Sequence, residues 1–255
     1  MIHPTALIDP SAQIAAGVSI GPYSIIGADV VIGEDTWVGP HVVIQGPCRI
    51  GARNKIYQFA SIGEACQDKK YGGEPTELQI GDDNVIRECV TMQRGTVQDA
   101  CLTKVGNRGL FMAYCHVAHD CQLGDDIILA NSTQLAGHVS IGDHAILGGG
   151  TLVHQFCRIG AHAMTGAGTV LLKDLPAYVL CQGNPPRVAK INTEGMKRRG
   201  FTSEQLVQLR KAFKVVYRNG LTLSQAIAEL SSWAPNFALQ LFIDSLRNSS
   251  RGIVR

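Results

Sequence analysis

Every sixth residue from Val105 to Ile159 is apolar: Val105, Phe111, Val117, Leu123, Leu129, Leu135, Ile141, Leu147, Val153 and Ile159. The same beat runs from Ile2 through Ile8, Ile14, Ile20, Ile26, Ile32, Val38, Ile44, Ile50 and Ile56 to Ile62 without a miss. In a chain that is 45% apolar, twenty-one such positions in register would arise by chance on the order of once in ten million. A period of six is neither the 3.6 of a helix nor the 2 of a flat strand. It requires a chain that turns a corner after each short strand and comes back to the same face, so that three hexads close one triangular coil.

Two further patterns sharpen this. Four positions after each beat residue the chain is small or apolar again (Cys115, Cys121, Ile127, Thr133, Val139, Ala145, Thr151, Cys157, Ala163), and glycine often follows the beat (Gly106, Gly124, Gly142, Gly148, Gly160). The first pattern fills a narrow prism, and the second relieves its corners. Together they predict an all-β solenoid, a left-handed parallel β-helix of hexapeptide repeats. Between Ile62 and Ile80 the beat falls on Asp68 and Glu74, which a dry prism does not accept unpaired, so residues 63–79 are expected to leave the coil as a loop. The beat returns at Ile80, Ile86 and Met92. The step from Met92 to Val105 then runs long, which places a second excursion at 97–104. Excursions on a rigid solenoid are where function concentrates. About nine coils at a strand spacing of ~4.8 Å give a prism ~40 Å long. Its partly apolar sides are expected to bury against copies of itself.

The hexads end at Gly183-Asn184-Pro185-Pro186, so the domain boundary is expected there: β-helix over 1–184, a small helical domain over 185–255. Thr202-Ser203-Glu204-Gln205 reads as a capping box before Leu206, Leu209, Phe213 and Val216, with Asn219-Gly220 as the stop. A second box, Thr222 to Gln225, opens a helix carrying Ile227 and Leu230 and ending by Pro235. Asn236 starts a third helix carrying Phe237, Phe242, Ile243 and Leu246.

No apolar run has signal-peptide or membrane-span length, which reads as a cytoplasmic chain. Eight cysteines without a CxxC pair fit that reading; Cys48, Cys115, Cys121 and Cys157 fall on the small inward position, where a thiol acts as a small hydrophobe. A net charge of +2 carries no global signal for nucleic acid, and no nucleic-acid module is present. Locally, Arg187 to Arg218 holds nine Lys or Arg against Glu194 and Glu204 alone, centred on Lys197-Arg198-Arg199. That surface is either a solvated helix face or a dock for an acidic partner or a phosphate.

The repeat also places chemistry, because residues 18 apart stack. Five titratable residues, His116, His119, Asp120, His138 and His154, take positions expected to point outward. Asp120 should lie under His138, and His119 under Gly137. A carboxylate beside an imidazole fixes its tautomer and raises its basicity, as a general base acting on a hydroxyl requires. A glycine over that base leaves a backbone N–H free to face an oxyanion. Outward histidines on such a prism otherwise face solvent or pair across a subunit interface. Zinc held by histidines of two subunits, as in γ-class carbonic anhydrases, is the competing chemistry. It would leave Asp120 and Gly137 without a part.

Ile56–Glu64, the loop Gln67–Thr76, His119-Asp120-Cys121, Leu135–Val139, His154–Cys157 and Gly195-Met196-Lys197-Arg198-Arg199-Gly200-Phe201 resemble the UDP-N-acetylglucosamine O-acyltransferases that begin lipid A synthesis. The resemblance covers essentially the whole chain. It implies a cytoplasmic homotrimer that moves an (R)-3-hydroxyacyl chain from acyl carrier protein to the sugar 3-hydroxyl, at sites between subunits. Neither a metal, a cofactor nor a covalent intermediate is implied. It implies His119 as general base, Asp120 as its orienting partner and Gly137 as oxyanion donor. Asp68, Lys70, His116, His138 and His154 would bind or position substrates, and Gln155, Asn192, Glu194 and Arg198 would hold the nucleotide sugar. Ala167 falls where relatives set the end of the acyl groove. Gln93 stands where relatives commonly carry His, which removes a titrating group there. The alternatives are an N-acyltransferase acting later on the acylated sugar or another hexapeptide acyltransferase; a generic one would share the beat but not this loop or the Lys197–Phe201 turn.

Overall fold

The computed structural model describes residues 1–255. Short strands, mostly of two residues, repeat every six positions, and up to Arg158–Ile159 nearly all pair in parallel with the strand three steps on. The result is three faces of nine, eight and ten strands. The first face runs from Leu7–Ile8 to Val170–Leu171, the second from Gln13–Ile14 to Arg158–Ile159, and the third from Ser19–Ile20 to Val179–Gln182 with Arg187–Ile191 as its tenth strand. Register follows the beat: on the first face Ile44 pairs with Ile62, Ile62 with Met92, Met92 with Val117, Val117 with Leu135, and Leu135 with Val153. These residues are at most 3% exposed, so one apolar column runs down the prism. Cys48, Cys115, Cys121, Cys157 and Cys181 are buried, and all eight cysteines are free thiols. Burial pushes the Cys48 and Cys121 thiols up to about 12, so they pack as hydrophobes and are not nucleophiles.

The corners explain the shape. Nineteen non-glycine residues have positive φ, most of them spaced one per hexad, because a tight corner between two short strands needs the left-handed region. Aspartate is common among them (Asp29, Asp35, Asp83, Asp120, Asp126), as its short polar side chain tolerates that region best.

Three expectations need correction. The excursions are shorter than expected: strands Ser61–Glu64 and Thr91–Gln93 run on past the beat, and Glu77–Ile80 and Leu102–Val105 start before it, leaving 65–76 and 94–101. Both excursions replace a single corner between the first and second faces. The boundary at 184 also cuts through a hairpin, because Arg187–Ile191 pairs antiparallel with Val179–Gln182 and extends the third face. Four helices follow where three were expected: α1 (Thr193–Arg198), α2 (Ser203–Arg218), α3 (Leu223–Ser231) and α4 (Phe237–Arg247). Both capping boxes are formed, at Thr202/Gln205 and Thr222/Gln225. The chain end returns to the prism, with Ile253 bridged to Asp174.

Candidate active site

The edge between the first and second faces collects the chemistry. Both excursions leave from it, and along it stack three corner residues in the left-handed region: Asp120 (φ 58°), His138 (φ 61°) and Phe156 (φ 66°). The coil holds them one above another, since the His138 N–H donates to the His119 carbonyl (3.0 Å) and the Phe156 N–H to the Gly137 carbonyl (3.1 Å). Positive φ is the rule at such corners, His41, Phe59, His144 and His162 included, so what marks this edge is the side chains it stacks.

His119 Nδ1 lies 2.8 Å from Asp120 Oδ2. Nδ1 is thereby bonded and Nε2 is left as the reactive nitrogen. A Cβ built on Gly137 would sit 2.5 Å from His119 Cε1 and 2.6 Å from Nε2, so only glycine leaves room for this ring. The stacking of His119 under Gly137 is therefore as expected. The Gly137 N–H makes no hydrogen bond within the chain, as at the equivalent corner positions His119 and Gln155; what distinguishes Gly137 is the imidazole against it. His138 stands edge-on to His119, ring centres 5.0 Å apart and planes at 90°, and stacks on Phe156 at 4.5 Å. His116 Nδ1 meets Thr91 Oγ1 at 2.7 Å, and burial, followed by the neighbouring His119, holds this imidazole below its usual range and hence neutral near pH 7.

Asp120 departs from expectation. It was read as outward-facing, yet its side chain is 1% exposed, because the 94–101 excursion folds over it. Thr96 donates to it twice, from its backbone N–H (2.8 Å) and its hydroxyl (2.6 Å). Asp99 of the same excursion lies 2.9 Å from His138 Nδ1. Thr96, Asp99 and Phe156 were missed in sequence. Only the 18-residue spacing from His138 to Phe156 carried a signal.

The longer loop brings Asp68 and Lys70 to this edge. The Asp68 carboxylate accepts the Lys70 N–H at 3.0 Å, while the Lys70 side chain reaches solvent. Buried Gln93 accepts the Gln67 N–H at 3.3 Å, so its amide fastens the loop to the coil. Arg94 secures the same loop through the Gly63 carbonyl (3.1 Å), the Tyr71 hydroxyl (3.2 Å) and the Gly46 carbonyl. His154 and Gln155 sit exposed one coil beyond His138, and His154 contacts only the Gln155 carbonyl.

The remaining residues are elsewhere. Asn192 caps α1, accepting the Gly195 N–H (3.1 Å) and donating to the His162 carbonyl (3.0 Å), so both ends of its amide are engaged inside the fold. Glu194 pairs with Lys197 at 3.0 Å and Arg198 is exposed without a partner. Asn192 and Arg198 border a cleft with Asp126, His144, His162 and Arg199 on the edge between the second and third faces. Ala167 is exposed at the corner after Met164–Thr165, on the third edge. The candidate residues thus divide over three edges of one prism.

A metal is sterically conceivable at His119, Asp120 and His138, whose ligand atoms lie within 4.8 Å of one another. The 2.8 Å between Nδ1 and Oδ2 is, however, a direct hydrogen bond. Two ligands on one tetrahedral zinc, each ~2.0–2.2 Å from the ion, stand well over 3 Å apart.

Residues 174–254 match the family described as "Udp N-acetylglucosamine O-acyltransferase; Domain 2", and 1–33 and 29–64 match "Bacterial transferase hexapeptide (six repeats)". The acyl-[acyl-carrier-protein]–UDP-N-acetylglucosamine O-acyltransferase of Pseudomonas aeruginosa is 56% identical, and that of Saccharophagus degradans 53%. Each comparison covers 100% of this chain and 99% of the relative. The crystal structure of the Moraxella catarrhalis UDP-N-acetylglucosamine O-acyltransferase superposes with a TM-score of 0.98 at 49% identity, covering 100% of this chain and 99% of the other. The chain belongs to the UDP-N-acetylglucosamine O-acyltransferase family. It is an acyltransferase. The family's second domain begins at 174, inside the coil, and so includes the hairpin that the boundary at 184 divided. No helix of this family member is long and apolar enough to cross a membrane.

Proposed function

We propose that the protein transfers an (R)-3-hydroxyacyl chain from acyl carrier protein to the 3-hydroxyl of UDP-N-acetylglucosamine, the first step of lipid A biosynthesis, with His119 as general base. The observation that carries this is the His119 ring, bonded to a buried carboxylate through Nδ1 and pressed against Gly137 at Nε2. Nε2 takes the proton of the sugar hydroxyl as its oxygen attacks the thioester carbonyl. The carbonyl π pair moves onto oxygen, where the Gly137 N–H faces it. When the tetrahedral intermediate collapses, the carbon–sulfur bond breaks and the imidazolium returns its proton to the departing thiolate. Asp120 orients the ring through Nδ1 and stabilises the imidazolium. General-base assistance of this kind is worth roughly 10²- to 10⁴-fold, and removing one oxyanion donor costs about 10²- to 10³-fold.

We further infer that the coil is left-handed, as hexapeptide-repeat proteins are, and that the working unit is a cytoplasmic homotrimer. Exposed Leu7, Tyr23, Ile25, Phe59, Tyr114 and Leu152 on the first face and its leading corners support a subunit interface there. The division of candidate residues over separate edges supports sites completed by a neighbour: His119, Asp120, Gly137, His138, Asp68 and Lys70 from one subunit, Arg198, Glu194 and Asn192 from the next. Arg210, Lys211, Lys214 and Arg218 along α2 suit acidic acyl carrier protein. The eight free thiols suit a reducing compartment.

Subunit complementation tests the shared site. His119→Ala and Arg198→Ala chains, each weakly active alone, are expected to regain activity when unfolded and refolded together, since roughly a quarter of interfaces in mixed trimers pair two intact halves. No recovery, with mixed trimers shown to form, would place the whole site within one chain.

A further inference from the structure

We propose that the 94–101 excursion is the positioning element of the active site, fixing the His119–Asp120 pair through Thr96 and His138 through Asp99. The proposal rests on the dyad reading above and extends it to two residues outside it.

Thr96 is fully buried, and two hydrogen bonds to the Asp120 carboxylate come from it: the N–H to Oδ1 at 2.8 Å and the hydroxyl to Oδ2 at 2.6 Å. The third bond to that carboxylate is His119 Nδ1 at 2.8 Å, on the same Oδ2. The orientation of the carboxylate, and with it the plane of the imidazole, is therefore set from Thr96. The Asp120 backbone is held separately, by its N–H to Thr103 Oγ1 at 2.8 Å, so main chain and side chain have different anchors. Three residues on, Asp99 Oδ2 meets His138 Nδ1 at 2.9 Å. The other neighbours of the His138 ring are Phe156 stacked on it, His119 against its edge and the Asp120 carboxylate 3.8 Å from Nε2, which is beyond hydrogen-bond reach, and none of them stops it sliding in its own plane. Asp99 does.

The excursion is built to hold these two positions. Its ends close on each other where the Cys101 N–H donates to the Thr96 carbonyl (3.1 Å), and the Gly95 N–H donates to the Glu77 carbonyl (3.2 Å). A Cβ at Gly95 would lie 2.2 Å from the Leu102 nitrogen, so the chain can pass there only as glycine. The residues between, 97–100, are exposed. A solvent-exposed arch that spends its one buried side chain on a catalytic carboxylate, and a carboxylate of its own on the adjacent imidazole, serves orientation more than packing. Thr96 and Asp99 are positioning residues, since each acts through another group.

Steady-state kinetics with an acyl carrier protein thioester and UDP-N-acetylglucosamine test this on the full-length protein. Thr96→Val keeps the volume and the backbone N–H and removes one hydrogen bond to a charged group. It is expected to lower kcat roughly 10- to 100-fold with the acceptor KM within about twofold. Thr96→Ser should restore most of kcat. Asp99→Asn, at a half-exposed side chain, is expected to raise the acceptor KM about 5- to 10-fold with kcat within about threefold. Unchanged kcat in folded Thr96→Val, or Thr96→Ser no better than Thr96→Val, overturns the proposal for Thr96. Should Thr96→Val not fold, Thr96→Ser and Asp99→Asn carry the test, and Asp99→Asn with unaltered KM overturns the part assigned to Asp99. His119→Ala is run beside them. If it is inactive while the excursion variants are normal, only the positioning claim fails; if it is itself active, the dyad reading fails first.

Discussion

Gly137→Ala is the smallest change that disturbs the site without touching a titratable group. The added Cβ would meet His119 Cε1 at 2.5 Å, Nε2 at 2.6 Å and Nδ1 at 3.1 Å. Non-bonded heavy atoms rest at about 3.5–4.0 Å, so the ring has to retreat by roughly 1 Å. It cannot do so freely, because Nδ1 is bonded to a carboxylate that Thr96 holds in place. A displacement of about 1 Å at the reacting atoms costs on the order of 10²-fold. Gly137 has an ordinary φ, so Ala strains no backbone; the fold should survive with at most a small drop in Tm. The assay is kcat/KM with acyl carrier protein thioester and UDP-N-acetylglucosamine, with circular dichroism melting alongside. The expected result is a loss of about 100-fold or more in a folded protein. Turnover near that of the parent would show that neither the position of the His119 ring nor the space above it matters, and the general-base reading would fall.

Ala167→Met should shift the preferred donor to a shorter acyl chain with the acceptor unchanged. Two methylenes denied the groove forfeit ~1.6 kcal/mol, or about fifteenfold in competition between thioesters of different length; an unaltered length profile would move the end of the groove elsewhere. Stability should depend on pH through His162, stacked between His144 and Tyr178. Burial pushes its imidazole from 6.5 down to about 4, with His144 and Arg199 adding to the effect. The fold holds it neutral while the unfolded chain takes up a proton. Its contribution is therefore complete above pH 6.5, falls as pH drops, and is lost by about pH 4. Urea midpoints measured across that window should drop less in His162→Phe than in the parent protein, and parallel curves would refute the assignment. Sedimentation should give three times the chain mass of 27.4 kDa, and a stable monomer would remove the shared-site model.

The coil was legible because a six-residue beat has one geometric solution, and its 18-residue repeat places His119 beneath Gly137 from the sequence alone. The excursions were legible only as interruptions. A chain that has left the coil has no period, so neither its limits at 65–76 and 94–101 nor its return contacts could be read. Thr96 reaches Asp120 across 24 residues and Asp99 reaches His138 across 39, and the second residue of each pair alone lies in register with the repeat. Asp120 was placed outward by arithmetic that was correct for the coil and blind to what covers it. Helix signals were local and held, as both capping boxes show. The 184 boundary failed because Pro185-Pro186 ended the hexads while the hairpin carried the sheet on to Ile191.

The measurement closest to the centre of the account is the turnover of His119→Ala at saturating acyl carrier protein thioester and UDP-N-acetylglucosamine, with fold and assembly checked by circular dichroism and sedimentation. The side chain is 14% exposed at the prism edge and outside the apolar columns, so its removal should leave both unchanged. The account expects kcat to fall roughly 10²- to 10⁴-fold or more. An intact protein with near-normal kcat would contradict it and move the base to another imidazole, His116 first.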